Sequence, residues 1–370
     1  MATTNEIPAT NGDTVAPTLT AAEIMINDLK GKVIRIPDLT TIFRDWPVNH
    51  VNQHYDELRP YVEEMIFEME LNDEAREDYL KQDLTWFIAV WFPYVSLDKL
   101  KILTLHVLWL FIWDDRVDIG EGDLAMDIES ANRARANTAK IWHNNLWGAD
   151  EIDWEGVEVD CVDAVIEPLA EGLRPQFGFA VRFLDSIEDY INSCETEQAM
   201  RIEGRVPSYD EYIEMRLDTS AVHTLCALAE YVTGETLPSE WFGPETIIEK
   251  IWKATNMGVI LINDPISLKK ELKTNCVINA VASLHQDTGG WLAVQDAIDT
   301  IVEKLVETVK QLDQDLEDAR ANFTEDEYAK LIRYANACKQ MVIGTLYFSL
   351  RSSRYAVSVG EEDNSLEITL

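Results

Sequence analysis

From Asn52 onward, apolar residues recur at steps of three and four. In HYDELRPYVEEMIFEMEL they fall at Leu58, Tyr61, Val62, Met65, Ile66 and Met69, the stripe of an amphipathic helix. Similar segments are predicted at 75–95, 97–118, 127–146, 173–200, 208–233, 244–275, 290–318 and 325–355. Period-two alternation is scarce, and the breaks between segments (GRVPS, GETLPSEWFGP, TGG) are too short to link domains. The pattern predicts an all-α, single-domain antiparallel bundle of about ten helices.

That bundle is expected over residues 31–358, entered through the proline-punctuated IRIPDL and RDWPVN. Residues 1–30 are expected to form a disordered tail and the polar 359–370 a loose one. No internal repeat is present, and the longest apolar runs are broken by charged or polar residues well short of a membrane span.

The segment LDKLKILTLHVLWLFIWDDRVD is apolar on almost every side and ends in acids. A helix from about 97 sets Val107, Phe111, Asp114 and Asp118 on one line, with Asp115 about a hundred degrees round. Carboxylates at a helix C-terminus face the negative end of the dipole and repel one another. A hard divalent cation removes both objections, whereas a solvated helix end is the plainer alternative.

A second polar line crosses MGVILINDPISLKKELK, where Asn263, Ser267 and Glu271 are spaced four and four. An amide oxygen, a hydroxyl and a carboxylate are hard ligands that suit Mg²⁺ and are poor for zinc. Lys270 stands beside the last of them, where an ammonium can meet phosphate oxygens. The competing reading is a helix N-cap at Asn263 or Asp264 with Pro265 at the first position.

Composition narrows the function. A net charge of −36 excludes an ordinary nucleic-acid binder, which needs a basic face, and is compatible with a protein that handles anions through metal ions. The five cysteines are scattered without a CxxC pair, and the first twenty residues lack a basic and apolar leader, so a cytosolic location is expected.

Together DDRVD and NDPISLKKE resemble the two metal motifs of the class I terpene synthases, in a microbial or fungal single-domain form. SSRYAV supplies the Arg-Tyr pair of that family, Arg354 and Tyr355, and Arg216 in YIEMRLDTSAV stands where it keeps a diphosphate-sensing arginine. Pro265 inside the second motif departs from the pattern and is expected to distort that helix locally. The resemblance implies a linear prenyl diphosphate substrate, most plausibly farnesyl diphosphate, and three Mg²⁺ ions, with Mn²⁺ as a substitute. It implies metal ligation by Asp114, with Asp115 and Asp118 as weaker candidates, and by Asn263, Ser267 and Glu271. Arg216, Lys270, Arg354 and Tyr355 would meet the diphosphate, and Thr219 and Ser220 would follow the sensor arginine. Phe111, Phe87 and Phe348 would line a cation pocket, since aromatic faces stabilise cations. Trp109 and Trp113 lie off the Phe111 stripe and read as packing, and His223 as structural. The alternatives are a diterpene cyclase taking geranylgeranyl diphosphate, a chain-elongating prenyl diphosphate synthase and a non-catalytic metal-binding helical protein.

Overall fold

The computed structural model describes residues 19–48, 50–118, 124–147, 154–289 and 293–370. In chain order the helices are α1 (Ala21–Leu29), α2 (Tyr55–Glu68), α3 (Asp73–Gln82), α4 (Leu84–Trp91), α5 (Leu97–Asp118), α6 (Ile128–Trp147) and α7 (Ile166–Leu173). They continue with α8 (Ala180–Ile202), α9 (Tyr209–Thr219), α10 (Val222–Thr233), α11 (Ile247–Lys273), α12 (Ala280–Asp287), α13 (Val294–Ala319) and α14 (Glu325–Arg351). The all-α expectation holds, with more and shorter helices than the periodicity gives.

Two of the extra boundaries come from single residues in the left-handed region. Asp83, at φ 56°, divides the expected 75–95 helix into α3 and α4. Ala221, at φ 59°, divides 208–233 into α9 and α10. Neither is a glycine, so no composition signal marks the break.

Both terminal expectations are corrected. Residues 21–29 are helical, started by a capping box between Thr20 and Glu23 and held by buried Met25 and Leu29. At the other end Leu366–Thr369 forms β2, antiparallel to β1 (Val33–Ile36), with Ile34 opposite Ile368 and Ile36 opposite Leu366. These four alternate positions are buried, so the apolar face of a two-stranded ribbon fastens both ends of the chain to the bundle. Residues 1–18 lie outside the described part.

At the centre lies α5, with Val107, Leu108 and Trp109 fully buried. It packs against α2, α4 and α7, while α11 packs on α13 and α14, and α14 on α4 and α10. His106, the residue interrupting the greasy run, is buried against the Trp109 ring and bonded through Nε2 to Thr224 Oγ1 at 2.9 Å; burial pushes its pKa down to about 3, so it is neutral. As expected, Trp109 and Trp113 are packing residues, their indole N–H groups donating to Asp163 and Thr138. Pro265 does not break α11, which runs on through it. The N-cap reading of Asn263 and Asp264 fails with that continuity, because both lie in the helix interior.

Helix α14 approaches α4 through Gly344. A Cβ there would lie 2.7 Å from Trp91 Cδ1 and 2.9 Å from the Val90 carbonyl oxygen, and backbone cannot move aside as a flexible side chain can. Gly344→Ala is therefore expected to destabilise the fold by about 1–3 kcal/mol through overpacking, read by urea unfolding. An unchanged midpoint would contradict the close approach.

Asp163, just before α7, accepts from the Trp109 indole at 3.2 Å and the Thr138 hydroxyl at 2.9 Å. Burial, reinforced by the charge of Asp160, raises its pKa from 3.8 to about 6. An acid with a raised folded pKa contributes its stability fully below its unfolded value and loses it as pH rises through the folded one. Relative to Asp163→Asn, the wild type should lose about 3 kcal/mol between about pH 4 and 6 and nothing further above. A stability difference constant across that range would contradict the shift.

Candidate active site

The end of α5 and the middle of α11 converge on one cavity, which α4, α8, α9, α10, α14 and the segment after α14 complete. Its lining includes every residue expected at the site except Asp118, whose side chain lies outside the described residues. The inner wall is aromatic. Phe87 meets both Phe111 and Phe348 edge-on at 5.1 Å, and Trp91 stacks on Phe87 at 4.4 Å. The mouth is charged: Asp114, Asp115, Glu197 and Glu271 face Arg201, Arg216, Lys270 and Arg354.

The paired aspartates on α5 have different surroundings. Asp115 Oδ1 accepts from Arg354 Nη2 at 3.0 Å; its Oδ2 accepts from Arg354 Nη1 at 3.2 Å and from the Tyr79 hydroxyl at 2.7 Å. Burial works to raise its pKa, but Arg354 and Lys270 outweigh it and hold the carboxyl below its ordinary value. Among the described residues Asp114 has one hydrogen bond, from the Tyr190 hydroxyl to Oδ1 at 2.8 Å. Burial and the neighbouring Asp115 raise its pKa, against Tyr190 and Arg216. It is the member of the pair that a cation would relieve most.

On α11 the second line forms as its spacing predicts. Asn263 donates through Nδ2 to the Tyr355 hydroxyl at 2.8 Å, a bond that leaves its Oδ1 uncommitted. Ser267 donates to Glu271 Oε1 at 2.6 Å, and Asn279 donates to Glu271 Oε2 at 2.8 Å. Burial raises the Glu271 pKa, partly offset by these two donors. Between them Asp264 points the other way, accepting from Tyr212 at 2.5 Å and from the Ala280 amide at 2.9 Å. Burial pushes it up to about 7, and it fastens α11 to α9 and α12.

Of the cationic groups, Lys270 lies 4.0 Å from Asp115, its pKa lowered by burial and by Arg354. Arg354 also sits 5.3 Å over the Phe111 ring. Arg216 bonds the Thr219 carbonyl at 3.3 Å at the α9–α10 break and faces Glu197 at 3.8 Å. Thr219 and Ser220 both line the cavity; the Ser220 hydroxyl donates to Asn256 at 2.7 Å, and Thr219 keeps a buried, unpartnered hydroxyl. His223 packs against Trp252 with ring centroids 5.5 Å apart and the planes tilted, and is absent from the cavity lining, as a structural histidine should be.

Glu197, Tyr79 and Tyr190 were not anticipated. Glu197 is buried with one oxygen, Oε2, that accepts no hydrogen bond. It is one acid among sixty-seven acidic residues and lies in no spaced motif, so nothing local distinguishes it.

The donor set suits a hard cation. Among the described residues no three His, Cys, Asp or Glu side chains form a cage. The α11 line instead offers an amide oxygen, a hydroxyl and one carboxylate, leaving the rest of a coordination shell to water and phosphate oxygens, as Mg²⁺ prefers. Among the described residues no helix is long and apolar enough to cross a membrane.

Comparison with known proteins agrees with this geometry. The sesquiterpene cyclase hepA of Aspergillus oryzae is 26% identical over 351 residues, covering 89% of this chain and 92% of that protein. The 4-epi-cubebol synthase of Streptosporangium roseum, which cyclises (2E,6E)-farnesyl diphosphate, is 28% identical over 316 residues, covering 81% and 89%. The crystal structure of an α-eudesmol synthase superposes with a TM-score of 0.70 at 18% identity, covering 82% of this chain and 97% of that one, a likeness of fold. Residues 106–311 match the model of terpene synthase family 2, C-terminal metal binding, which spans both oxygen clusters. With more than half its length matched in this way, the chain belongs to the terpene synthase family, and it is a class I, all-α terpene synthase.

Proposed function

We propose that the protein ionises farnesyl diphosphate with Mg²⁺ and cyclises the resulting cation to a sesquiterpene. The observation that carries this reading is the division of one cavity into a mouth of oxygen donors and cations and a wall of aromatic rings. The named relatives are sesquiterpene enzymes.

Asp114 would hold metal on α5, and Asn263, Ser267 and Glu271 would hold it on α11. Bound Mg²⁺, three ions as the family resemblance implies, would supply Lewis-acid stabilisation of the diphosphate leaving group. Arg216, Lys270 and Arg354 donate to the diphosphate oxygens, together with the Tyr355 hydroxyl. Each interaction strengthens as negative charge builds on the departing oxygen, so these groups favour the transition state over the ground state. Asp115 stays an anion paired with Arg354 and orients it. C–O cleavage leaves an allylic cation facing Phe87, Phe111 and Phe348, whose π faces stabilise it by about 2 kcal/mol or more in a dry site. Closure of the charged mouth keeps water out until the rings form. The released diphosphate would take the final proton, since His223 packs against Trp252 and does not line the cavity.

Incubation of the purified chain with farnesyl or geranylgeranyl diphosphate and Mg²⁺, followed by mass spectrometry of the extract, tests this reading. A cyclic C15 product is expected, abolished by a chelator and restored by Mg²⁺. Asp114→Ala and Asn263→Ala should each lower turnover by about 10²–10³ with unchanged circular dichroism. A cyclic C20 product from geranylgeranyl diphosphate alone would replace the substrate; a longer diphosphate formed when isopentenyl diphosphate is added as the C5 donor would replace the reaction. No product from folded protein with either substrate would falsify the proposal.

A further inference from the structure

Helix α3, DEAREDYLKQ, is polar around most of its circumference, and its only two buried residues are Tyr79 and Gln82. A helix that buries a phenol and an amide is not held by an apolar stripe, so the partners of those groups explain its position. Each has a partner at the cavity mouth. The Tyr79 hydroxyl donates to Asp115 Oδ2 at 2.7 Å. Gln82 Oε1 accepts from Arg354 Nη1 at 3.1 Å, and the Gln82 carbonyl accepts from the Ser352 hydroxyl at 2.8 Å. The Ser352 oxygen in turn accepts from the Arg354 amide at 3.2 Å. The next residue, Asp83, takes Arg351 at 3.4 Å and caps α4, the helix that carries Phe87.

The α3–α4 junction is thus a bracket on which residues 351–354 are seated. The consequence for the site follows from the chemistry of the donors. Arg354 Nη1 is shared between Gln82 and Asp115, so the amide fixes the plane of the guanidinium on the carboxylate. Tyr79 fixes that carboxylate from its other side, which leaves neither partner free to turn. A guanidinium has five N–H donors; three bonds go to Gln82 and Asp115, and other N–H groups remain for an anion.

We propose that Tyr79 and Gln82 are positioning residues for diphosphate binding: they lock Arg354 on Asp115 and seat the segment after α14 over the cavity mouth. This rests on the proposed function in so far as the anion is a prenyl diphosphate. Neither residue touches the reacting carbon.

The test uses Tyr79→Phe and Gln82→Met, which remove the hydrogen-bonding groups with little change in volume, and Gln82→Glu, which keeps an acceptor for Arg354. Two readouts are taken: steady-state kinetics with farnesyl diphosphate at saturating Mg²⁺, and hydrogen exchange of 351–357 in protein without substrate. Tyr79→Phe and Gln82→Met should each raise KM about tenfold, the size of one lost hydrogen bond to a charged group, and lower kcat much less. Exchange should rise in 351–357 and stay unchanged in α11 and α13. Gln82→Glu should return KM to within about threefold of wild type, which a merely structural role for Gln82 would not give. KM and exchange within twofold of wild type in both loss variants would overturn the proposal. So would a loss of kcat and global stability with KM unmoved. Exchange needs no turnover, so it decides whether the bracket seats the segment even where no prenyl diphosphate reacts and the functional reading itself has failed.

Discussion

The carboxylates at the end of α5 cannot be stable there without compensation. They close a helix that is buried along most of its length, they face the negative end of its dipole, and they stand beside two further acids that line the same cavity, Glu197 and Glu271. The molecule answers with guanidinium and ammonium groups from three other elements: Arg216 on α9, Lys270 on α11 and Arg354 after α14. Those elements are held in position from outside the cavity, α11 through Asp264 and α14 through the glycine contact with α4. The balance is incomplete. Glu197 keeps an oxygen that accepts no hydrogen bond, Asn263 an uncommitted carbonyl, and Asp114 a raised pKa. On the proposed function, these oxygens are where cations and their phosphate ligands would complete the arrangement.

The same constraint separates the two aspartates chemically. Neighbouring carboxylates on one helix end cannot both ionise freely in a low dielectric, and the environment divides the work. Arg354, Lys270 and Tyr79 make Asp115 a counter-ion; Asp114, with Tyr190 as its hydrogen-bond donor among the described residues, is the freer of the two to take a metal on the proposed function. A few ångströms inward the polarity ends abruptly, and the Phe87–Phe111–Phe348 cluster presents ring faces and edges to whatever hydrocarbon enters. On the proposed function, charge for the leaving group and polarizable surface for the cation would thus come from adjacent turns of single helices, Phe111 and Asp114 on α5 being the clearest instance.

Much of this could be read from the chain. The long helices were legible because three-and-four spacing reports burial directly. The α11 line was legible because four-residue steps place Asn263, Ser267 and Glu271 on one face whatever the context. The breaks at Asp83 and Ala221 were hidden, since ordinary residues occupy left-handed backbone there only under tertiary constraint. The pairing of β2 with β1 was hidden by distance along the chain, although LEIT and VIRI each alternate. Glu197, Tyr79 and Gln82 were hidden for a third reason. Glu197 has no spaced companion, Tyr79 and Gln82 share one helix without a metal-ligand pattern, and the role of each exists only where another element brings its partner.

The central claim is that the oxygen clusters of α5 and α11 share one diphosphate through divalent cations. The most direct test is a crystal structure with Mn²⁺ and inorganic diphosphate, using the anomalous signal to locate the metal. Anomalous peaks on Asp114 and on the Asn263–Ser267–Glu271 line, with diphosphate between them and against Arg216 and Arg354, are the predicted result. Diphosphate bound in the cavity with no metal on either cluster, or metal confined to acids elsewhere on the surface, would contradict it.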